Sequence, residues 1–504
     1  MKLIIIGGGI AGLSAAYDAA KATESSLGAT GQLPLQITVL ESGERWGGKI
    51  TTERIAFDDG QFIIEGGPDT FLATKPYATA LCQELGLGER LHGTNPHNKN
   101  TYVLHRDQLQ PLPDGLAMMI PTNVGAVLKT RLVSWLGKAR MGLDFILPPR
   151  KNSAEDESMG AFVSRRLGRE AYENLIEPLM SGIYAGDGDQ LSLASTFPYL
   201  RDLEVKYGSL ARGALEMHKQ SIRANGRSSL QGSRSAFLTP TTGLAEIVEK
   251  LVENLSAKGV DLRLNTPVTS ITRNTQDARW NVTLNNGDVL EADALILATP
   301  AYVSGKLLAS FDPALASALG AIPYASTATV SLAYRESDLP RALDGYGYVI
   351  PRREGRRALA CTWTSTKFPH RAPEGYALIR VFIGRAGQTL TPSPSPTERG
   401  ESGGRDNTLL AIAREELQLT LGIRAEPLVS RVFFWENAMP QYNLGHPALL
   451  RRIETALAGH PGLALAGNGY RGIGIPDCIR SGQLAVEKIV EDRHIERSAT
   501  PASP

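Results

Sequence analysis

The sequence predicts an α/β fold in several packed units, and three observations predict it. A strand, a glycine-rich turn, an alanine-rich helix and a second strand open the chain, an arrangement that builds a parallel sheet. A second strand and glycine-rich turn stand near its end. The 504 residues between the termini exceed what one hydrophobic core accommodates.

Taken in order, residues 2–6 (Lys-Leu-Ile-Ile-Ile) read as a buried strand, Gly7 to Gly12 as a turn and Leu13 to Thr23 as a helix. Small and polar residues from Ser25 to Pro34 read as a loop, and Gln36 to Glu41 as the second strand. Helical patterns broken by Pro111, Pro113, Pro121 and Pro148-Pro149 dominate the next stretch, assigned as a helical domain over 76–235. Within it, 116–147 mixes Met118, Met119, Leu128, Trp135 and Leu136 with Lys129, Arg131, Lys138 and Arg140. That mixture fits a helical layer over a core or, less well, a basic amphipathic surface that meets a membrane or a greasy substrate. A helix over 245–258 and strands at 262–271, 280–284 and 294–298 follow, with strands of a separate sheet at 326–335 and 376–383. The Pro/Ser/Gly-rich run 391–406 reads as a disordered insertion. The expected division is a discontinuous nucleotide-binding domain (1–75, 236–310 and 425–491), an α+β substrate domain (311–424), the inserted helical domain, and a loose tail over 492–504.

Composition narrows the function classes. A net charge of +1 gives no footprint for nucleic acid. Cys82, Cys361 and Cys478 lie far apart, so neither a disulfide framework nor a cysteine metal site is expected, and the compartment reads as reducing. No H-x-x-H or H-E-x-x-H pattern occurs. No signal peptide and no apolar run long enough to span a bilayer are present, and a cytoplasmic protein is expected.

Four motifs carry chemistry. In Gly7-Gly8-Gly9-Ile10-Ala11-Gly12, Gly7 permits the tight turn, Gly9 lets the backbone approach a pyrophosphate, and Gly12 lets helix and strand pack, as in a Rossmann-like unit. Glu41, ending the second strand, can accept both hydroxyls of an unphosphorylated ribose. Arg45-Trp46-Gly47-Gly48-Lys49 adds a second glycine turn with flanking cations, which a plain NAD domain does not need and which amine-oxidase-type flavoproteins use on the FAD diphosphate. Glu65-Gly66-Gly67-Pro68-Asp69-Thr70 exposes backbone N–H groups suited to a flavin edge. Gly467-Asn468-Gly469-Tyr470-Arg471-Gly472 fits a turn against the far part of the same FAD better than a second dinucleotide site, because no acidic strand end follows. The helix beyond it points its positive end at the cofactor.

From residue 1 to about 491 these motifs resemble the protoporphyrinogen and coproporphyrinogen oxidase family of heme synthesis. Glu177-Pro-Leu-Met-Ser-Gly-Ile-Tyr-Ala-Gly-Asp187, Ala298-Thr299-Pro300 and Gly472-Ile-Gly-Ile-Pro-Asp-Cys478 sharpen the resemblance. It implies non-covalent FAD, one per chain, contacted by Gly7, Gly8, Gly9, Ile10, Ala11, Gly12, Glu41, Ser42, Arg45, Gly48, Lys49, Gly67, Pro68, Asp69, Thr70, Val268, Ala298, Trp435, Gly467, Ile473, Gly474 and Ile475. It implies a macrocycle facing Tyr346, Gly347 and Val349, with Lys75 toward a propionate. The implied reaction is six-electron aromatisation of a porphyrinogen, with molecular oxygen reduced to peroxide and no catalytic side chain or metal. It leaves room for a homodimer, peripheral membrane contact and transient contact with the next heme-pathway enzyme. Two departures stand out: the 391–406 insertion, expected to be inert, and Asn468 where many flavoproteins carry Asp.

His92, His97 and His105 read as solvated loop residues rather than a relay. Arg352, Arg353, Arg356 and Arg357 read first as a solvated loop and second as a carboxylate trap, which gently favours the four-propionate coproporphyrinogen. A flavin amine oxidase and a redox-inactive, FAD-stabilised scaffold are the competing readings.

Overall fold

The computed structural model describes residues 1–27, 35–58, 60–113, 116–117, 120–121, 123–150, 155–225, 235–274, 276–390 and 402–499. The expected 25–34 loop beyond Leu27, Met118, Met119 and residues 391–401 of the insertion lie outside the described residues.

Five strands form the parallel sheet. Lys2–Ile6 lies at its centre, flanked by Gln36–Leu40 and then Asp261–Arg263 on one side, and by Ala294–Leu297 and then Leu463–Leu465 on the other. Leu3 and Ile5 pack on one face and Ile4 and Ile6 on the other, in two separate cores, as alternation in a sheet covered on both sides requires. The first helix, Ile10–Leu27, and the last, Ile475–Ala499, share the first of these cores. They approach closely because position 482 is glycine: a Cβ there would collide with the Ala11 carbonyl.

The second sheet has seven strands in the spatial order Val429–Pro440, Tyr324–Arg335, Tyr376–Ile383, Ala358–Trp363, Gly345–Val349, Asn100–His105 and Gln108–Pro111. Two of these strands come from the stretch expected to be helical. Asn100–His105, with Val103 and Leu104 fully buried, docks on Gly345–Val349 in parallel, and Gln108–Pro111 pairs with it antiparallel. The Val429–Pro440 strand likewise belongs to this sheet rather than to the nucleotide-binding unit.

Helices do dominate the rest of the inserted region, around a core that includes Phe162, Tyr172, Leu175 and Met180. A fully buried Arg166–Asp144 pair (2.6 Å) anchors it, with Ser209 and the Ala211 N–H completing the carboxylate's bonds. In the 116–147 stretch Leu132, Val133 and Met141 point inward, as a helical layer requires. That reading leaves out Trp135, Leu136 and Ile146, which are 72%, 85% and 75% exposed, with Lys138 lying over the Trp135 ring.

Helix ends differ from expectation in three places. The first helix runs on to Leu27, just before Gly28. Ser402–Leu421 is helical, so 402–406 are not disordered. Apolar residues further along it, Leu409, Ile412, Ala413 and Leu417, bury against the second sheet and carry the helix through a composition that disfavours it. The last helix continues through the expected tail to Ala499, with no Gly or Pro after Gly482 until Pro501.

Candidate functional site

The site forms where the glycine turns converge. Gly7 has φ +114°, and a Cβ there would sit 2.7 Å from the Ala298 oxygen, so only glycine serves. At Gly12 a Cβ would enter the Gly7 carbonyl. Gly9 is different: nothing lies within 4 Å of a Cβ built there, so its backbone fronts open space. That open side lies at the N-terminus of Ile10–Leu27, where helix N–H groups lack intrahelical acceptors and favour an anion.

The second turn is stitched to the first. Gly47 N–H donates to the Gly8 oxygen at 2.8 Å, and Gly9 and Gly47 form a parallel bridge. Arg45 spends its guanidinium on the carbonyls of Gly48 (2.6 Å), Ile50 (3.1 Å) and Trp46 (3.3 Å), so it braces this turn rather than reaching out. Lys49 donates to the Ala438 oxygen at 2.5 Å, and burial pushes its amine down to about 8. Glu41 accepts from Gly8 N–H (2.7 Å) and Gly43 N–H (2.8 Å), with Ser42 Oγ at 3.2 Å. Oε1 takes two of these bonds and Oε2 one, so Oε2 keeps lone-pair capacity for a ribose hydroxyl.

At the third turn, side chains of the second sheet hold the carbonyls. Thr329 Oγ1 and Trp435 Nε1 both donate to Gly66 O at 2.8 Å, and Arg380 donates to Gly67 O. Beneath lie two ion pairs: Glu65 with Arg371 (2.8 Å) and Asp69 with Lys367 (3.1 Å). Burial alone would raise Asp69, but Lys367 and Arg380 together hold it down at about 2. Burial outweighs Arg371 at Glu65 and raises it. Thr70 Oγ1 also bonds Asp69, at 3.1 Å.

The C-terminal turn follows the Leu463–Leu465 strand at the edge of the parallel sheet and leads into the Ile475–Ala499 helix. Tyr442 donates to Asn468 O at 2.5 Å, and His446 Nε2 meets Tyr470 O at 2.9 Å. Gly467, like Gly9, fronts open space. Ile473 and Gly474 lead into the helix that begins at Ile475. Val268 opens the Val268–Arg273 strand, and Ala298 follows the Ala294–Leu297 strand, its N–H bonded to Ile6 O.

Tyr346, Gly347 and Val349 line one strand of the second sheet. Tyr346 is tied by its hydroxyl to Thr94 Oγ1 (3.0 Å) and Asn95 O (2.7 Å), and Val349 packs with Ala185, Leu359 and Ala360. Lys75 is not free: both Asp477 oxygens hold its amine, at 2.6 and 2.7 Å, so a substrate carboxylate would share or displace that partner.

Three of the four arginines in the run are engaged within the fold. Arg353 bonds Asn174 and faces Glu173 at 3.5 Å, Arg356 pairs with Asp107, and the Arg352 side chain reaches the Ala386 oxygen at 3.3 Å. His92 and His105 sit on strands rather than loops, the former against Thr241 and the latter 4.0 Å from Glu354. Sequence reasoning missed Thr329, Arg371, Arg380, Tyr442 and His446. One signal was available: Arg380 interrupts the apolar strand Tyr-Ala-Leu-Ile-Arg-Val-Phe-Ile, and an arginine in a buried strand is rare without a task.

Comparison with known proteins follows the same outline. Residues 10–490 match the model of the family described as flavin containing amine oxidoreductase. The chain is 39% identical to the coproporphyrinogen III oxidase of Bacillus subtilis (strain 168) over 485 residues, 96% of this chain and 97% of that protein. It is 29% identical to the protoporphyrinogen oxidase of Homo sapiens over 499 residues, 97% and 98% of the two chains. A crystal structure from Exiguobacterium sp. 255-15, provisionally named protoporphyrinogen oxidase, superposes with a TM-score of 0.80 at 33% identity, covering 98% of this chain and 99% of that one. The chain belongs to the flavin containing amine oxidoreductase family.

Proposed function

We propose that the protein binds FAD non-covalently and oxidises a porphyrinogen, coproporphyrinogen III before protoporphyrinogen IX, with molecular oxygen as acceptor. One observation carries the reading: three glycine turns and the Tyr346–Val349 strand converge in a chain that matches a coproporphyrinogen III oxidase end to end. The preference for coproporphyrinogen rests on 39% identity there against 29% to the human protoporphyrinogen oxidase, since the arginine run no longer supports it.

The residues present fit the cofactor. Gly9 and Gly467 leave open backbone at two separated turns, as an extended dinucleotide needs. Glu41 stands at the ribose position and Lys49 beside the second turn. Cys478 is buried and its thiol is pushed up to about 12, so it offers no thiolate for covalent attachment.

When bound, FAD supplies the capacity to take up two electrons at a time. This chain's residues bind and orient. Thr329, Trp435, Arg380, Tyr442 and His446 hold five carbonyl bonds at the turns and so fix the orientation of their peptide groups. Val349 and Ala185 give the macrocycle an apolar wall that excludes water. Lys75, held by Asp477, offers a positive end to a propionate. The balance is six hydrogens lost from one porphyrinogen and three oxygen molecules reduced to three hydrogen peroxides.

Incubation with each porphyrinogen, followed by porphyrin fluorescence and peroxide yield, tests this. Fluorescence gain above autoxidation is expected with coproporphyrinogen III, and no gain with either substrate would overturn the reading. An amine oxidase would instead release peroxide from an amine, and a scaffold would hold FAD without turnover.

Lys49 gives FAD binding a pH dependence. Its amine is held below its unfolded value, so it loses its proton above about pH 8 in the apoprotein. A diphosphate requires the ammonium, so binding above that pH takes up a proton. Affinity should therefore fall by up to about tenfold per pH unit above 8, a factor worth about 1.4 kcal/mol each. FAD titration of apoprotein checks this, and Lys49→Met should flatten the profile.

The outward Trp135, Leu136 and Ile146, beside Lys138, support peripheral membrane contact at the tip of the helical region. Co-sedimentation with anionic vesicles is expected to drop in Trp135→Ser/Leu136→Ser; equal sedimentation would remove this surface from consideration.

A further inference from the structure

Five ionisable side chains meet beneath the third glycine turn, and their charges do not cancel. Glu65 is matched by Arg371 and Asp69 by Lys367. Arg380 forms no ion pair among the described residues, although it is only 2% exposed. Its one hydrogen bond goes to the Gly67 carbonyl, and Nε and Nη1 have no partner. These atoms border a small cavity lined by Ile64, Glu65, Asp69, Ser331, Arg371 and Arg380. Asp69 and Glu65 lie close enough to favour its charge, but neither forms a direct ion pair with it, and a buried guanidinium with two unbonded nitrogens is costly.

Its position in the sheet is informative. Arg380 pairs across to Thr362, which pairs with Gly347, so one row of the sheet runs from the arginine to the macrocycle-facing strand. Thr329, two residues along from the Ser331 that pairs with Arg380 and so on the same face, holds the Gly66 carbonyl. Arg380 therefore stands directly behind the turn assigned to the flavin edge.

We propose that Arg380 is a positioning residue for the flavin: a fixed positive charge that acts through the Gly66-Gly67-Pro68 turn and stabilises the negative charge a flavin gains on two-electron reduction. The inference rests on the FAD reading above. A charge in a water-poor interior acts strongly over such distances, and charge near the ring is a recognised lever on flavin electronics.

The test compares the wild-type holoenzyme with Arg380→Lys and Arg380→Gln. Sulfite is the probe, because its adduct carries the same negative charge as reduced flavin. Its dissociation constant is read from loss of flavin absorbance, and the reduction potential from dye equilibration. Arg380→Gln keeps a donor for Gly67 and loses the charge. It should weaken sulfite binding about tenfold and lower the potential by about 30 mV, the equivalent for a two-electron couple. Arg380→Lys should lie nearer the wild type. If Arg380 only holds the turn, Arg380→Gln, which keeps that donor, will retain FAD with wild-type sulfite affinity and potential, which overturns the proposal. A wild type that holds no FAD would overturn the cofactor reading, and this inference with it.

Discussion

Gly12→Val is expected to purify without FAD and with a weakened fold. A Cβ at this position collides with the Gly7 carbonyl, a backbone atom that cannot rotate away, and Gly7 is itself pinned by its bond to Leu40 O and its approach to Ala298. Helix and strand must separate to admit it. Overpacking of this kind costs about 1–3 kcal/mol or more where the neighbour is soft, and here it is not. Gly9→Ala is the control. Its Cβ meets nothing within 4 Å, so the apoprotein should melt like wild type while the diphosphate cradle is filled and FAD affinity falls. Flavin absorbance per chain and apoprotein melting together separate the two effects. If both variants lose only affinity, or both lose only stability, the assignment of roles within this turn is wrong.

Arg371→Met should destabilise the protein more than any other single side-chain removal in the third-turn cluster. It would leave Glu65, which is 4% exposed, without its guanidinium partner and with only Thr52 and the Leu244 N–H for compensation. Breaking one half of such a pair costs about 3–5 kcal/mol, whereas replacing both halves by apolar groups is often close to neutral. The double variant Glu65→Leu/Arg371→Met should therefore be more stable than Arg371→Met alone. Denaturant midpoints on all three proteins measure this, and an additive double variant would contradict the coupling.

What was legible in the sequence is what is local. The glycine turns announce themselves because the chemistry of a turn, a close backbone approach and a helix start is written in adjacent residues. Glu41 and Lys49 were legible for the same reason. The side chains that orient those turns were not. Thr329, Arg380 and Trp435 reach Gly66 and Gly67 across 263, 313 and 369 residues, and no periodicity connects partners so distant. Lys75 was read as a partner for a propionate, and its partner within the fold, Asp477, 402 residues away, was not legible. The strands at 100–105 and 108–111 were obscured by the helical sequence around them, because their β state is set by the neighbour they dock on. Helix ends ran long where no residue stops them, as at Leu27 and Ala499.

The packing of the first helix against the last, through Gly482 on Ala11, sets a schedule for biosynthesis. The opening strand is made well before its neighbour at 294–297, the 463–465 strand beyond that neighbour, and the last helix, which covers it. At synthesis rates of about 5–20 residues per second, the N-terminal unit waits roughly 25–100 s with its isoleucine-rich strand uncovered. The inserted helical region, whose core is drawn mainly from 103–217, is under no such delay and can fold as it emerges. The glycine turns therefore come together only once residues 463–499 have been made, and the first strand must be sheltered until then.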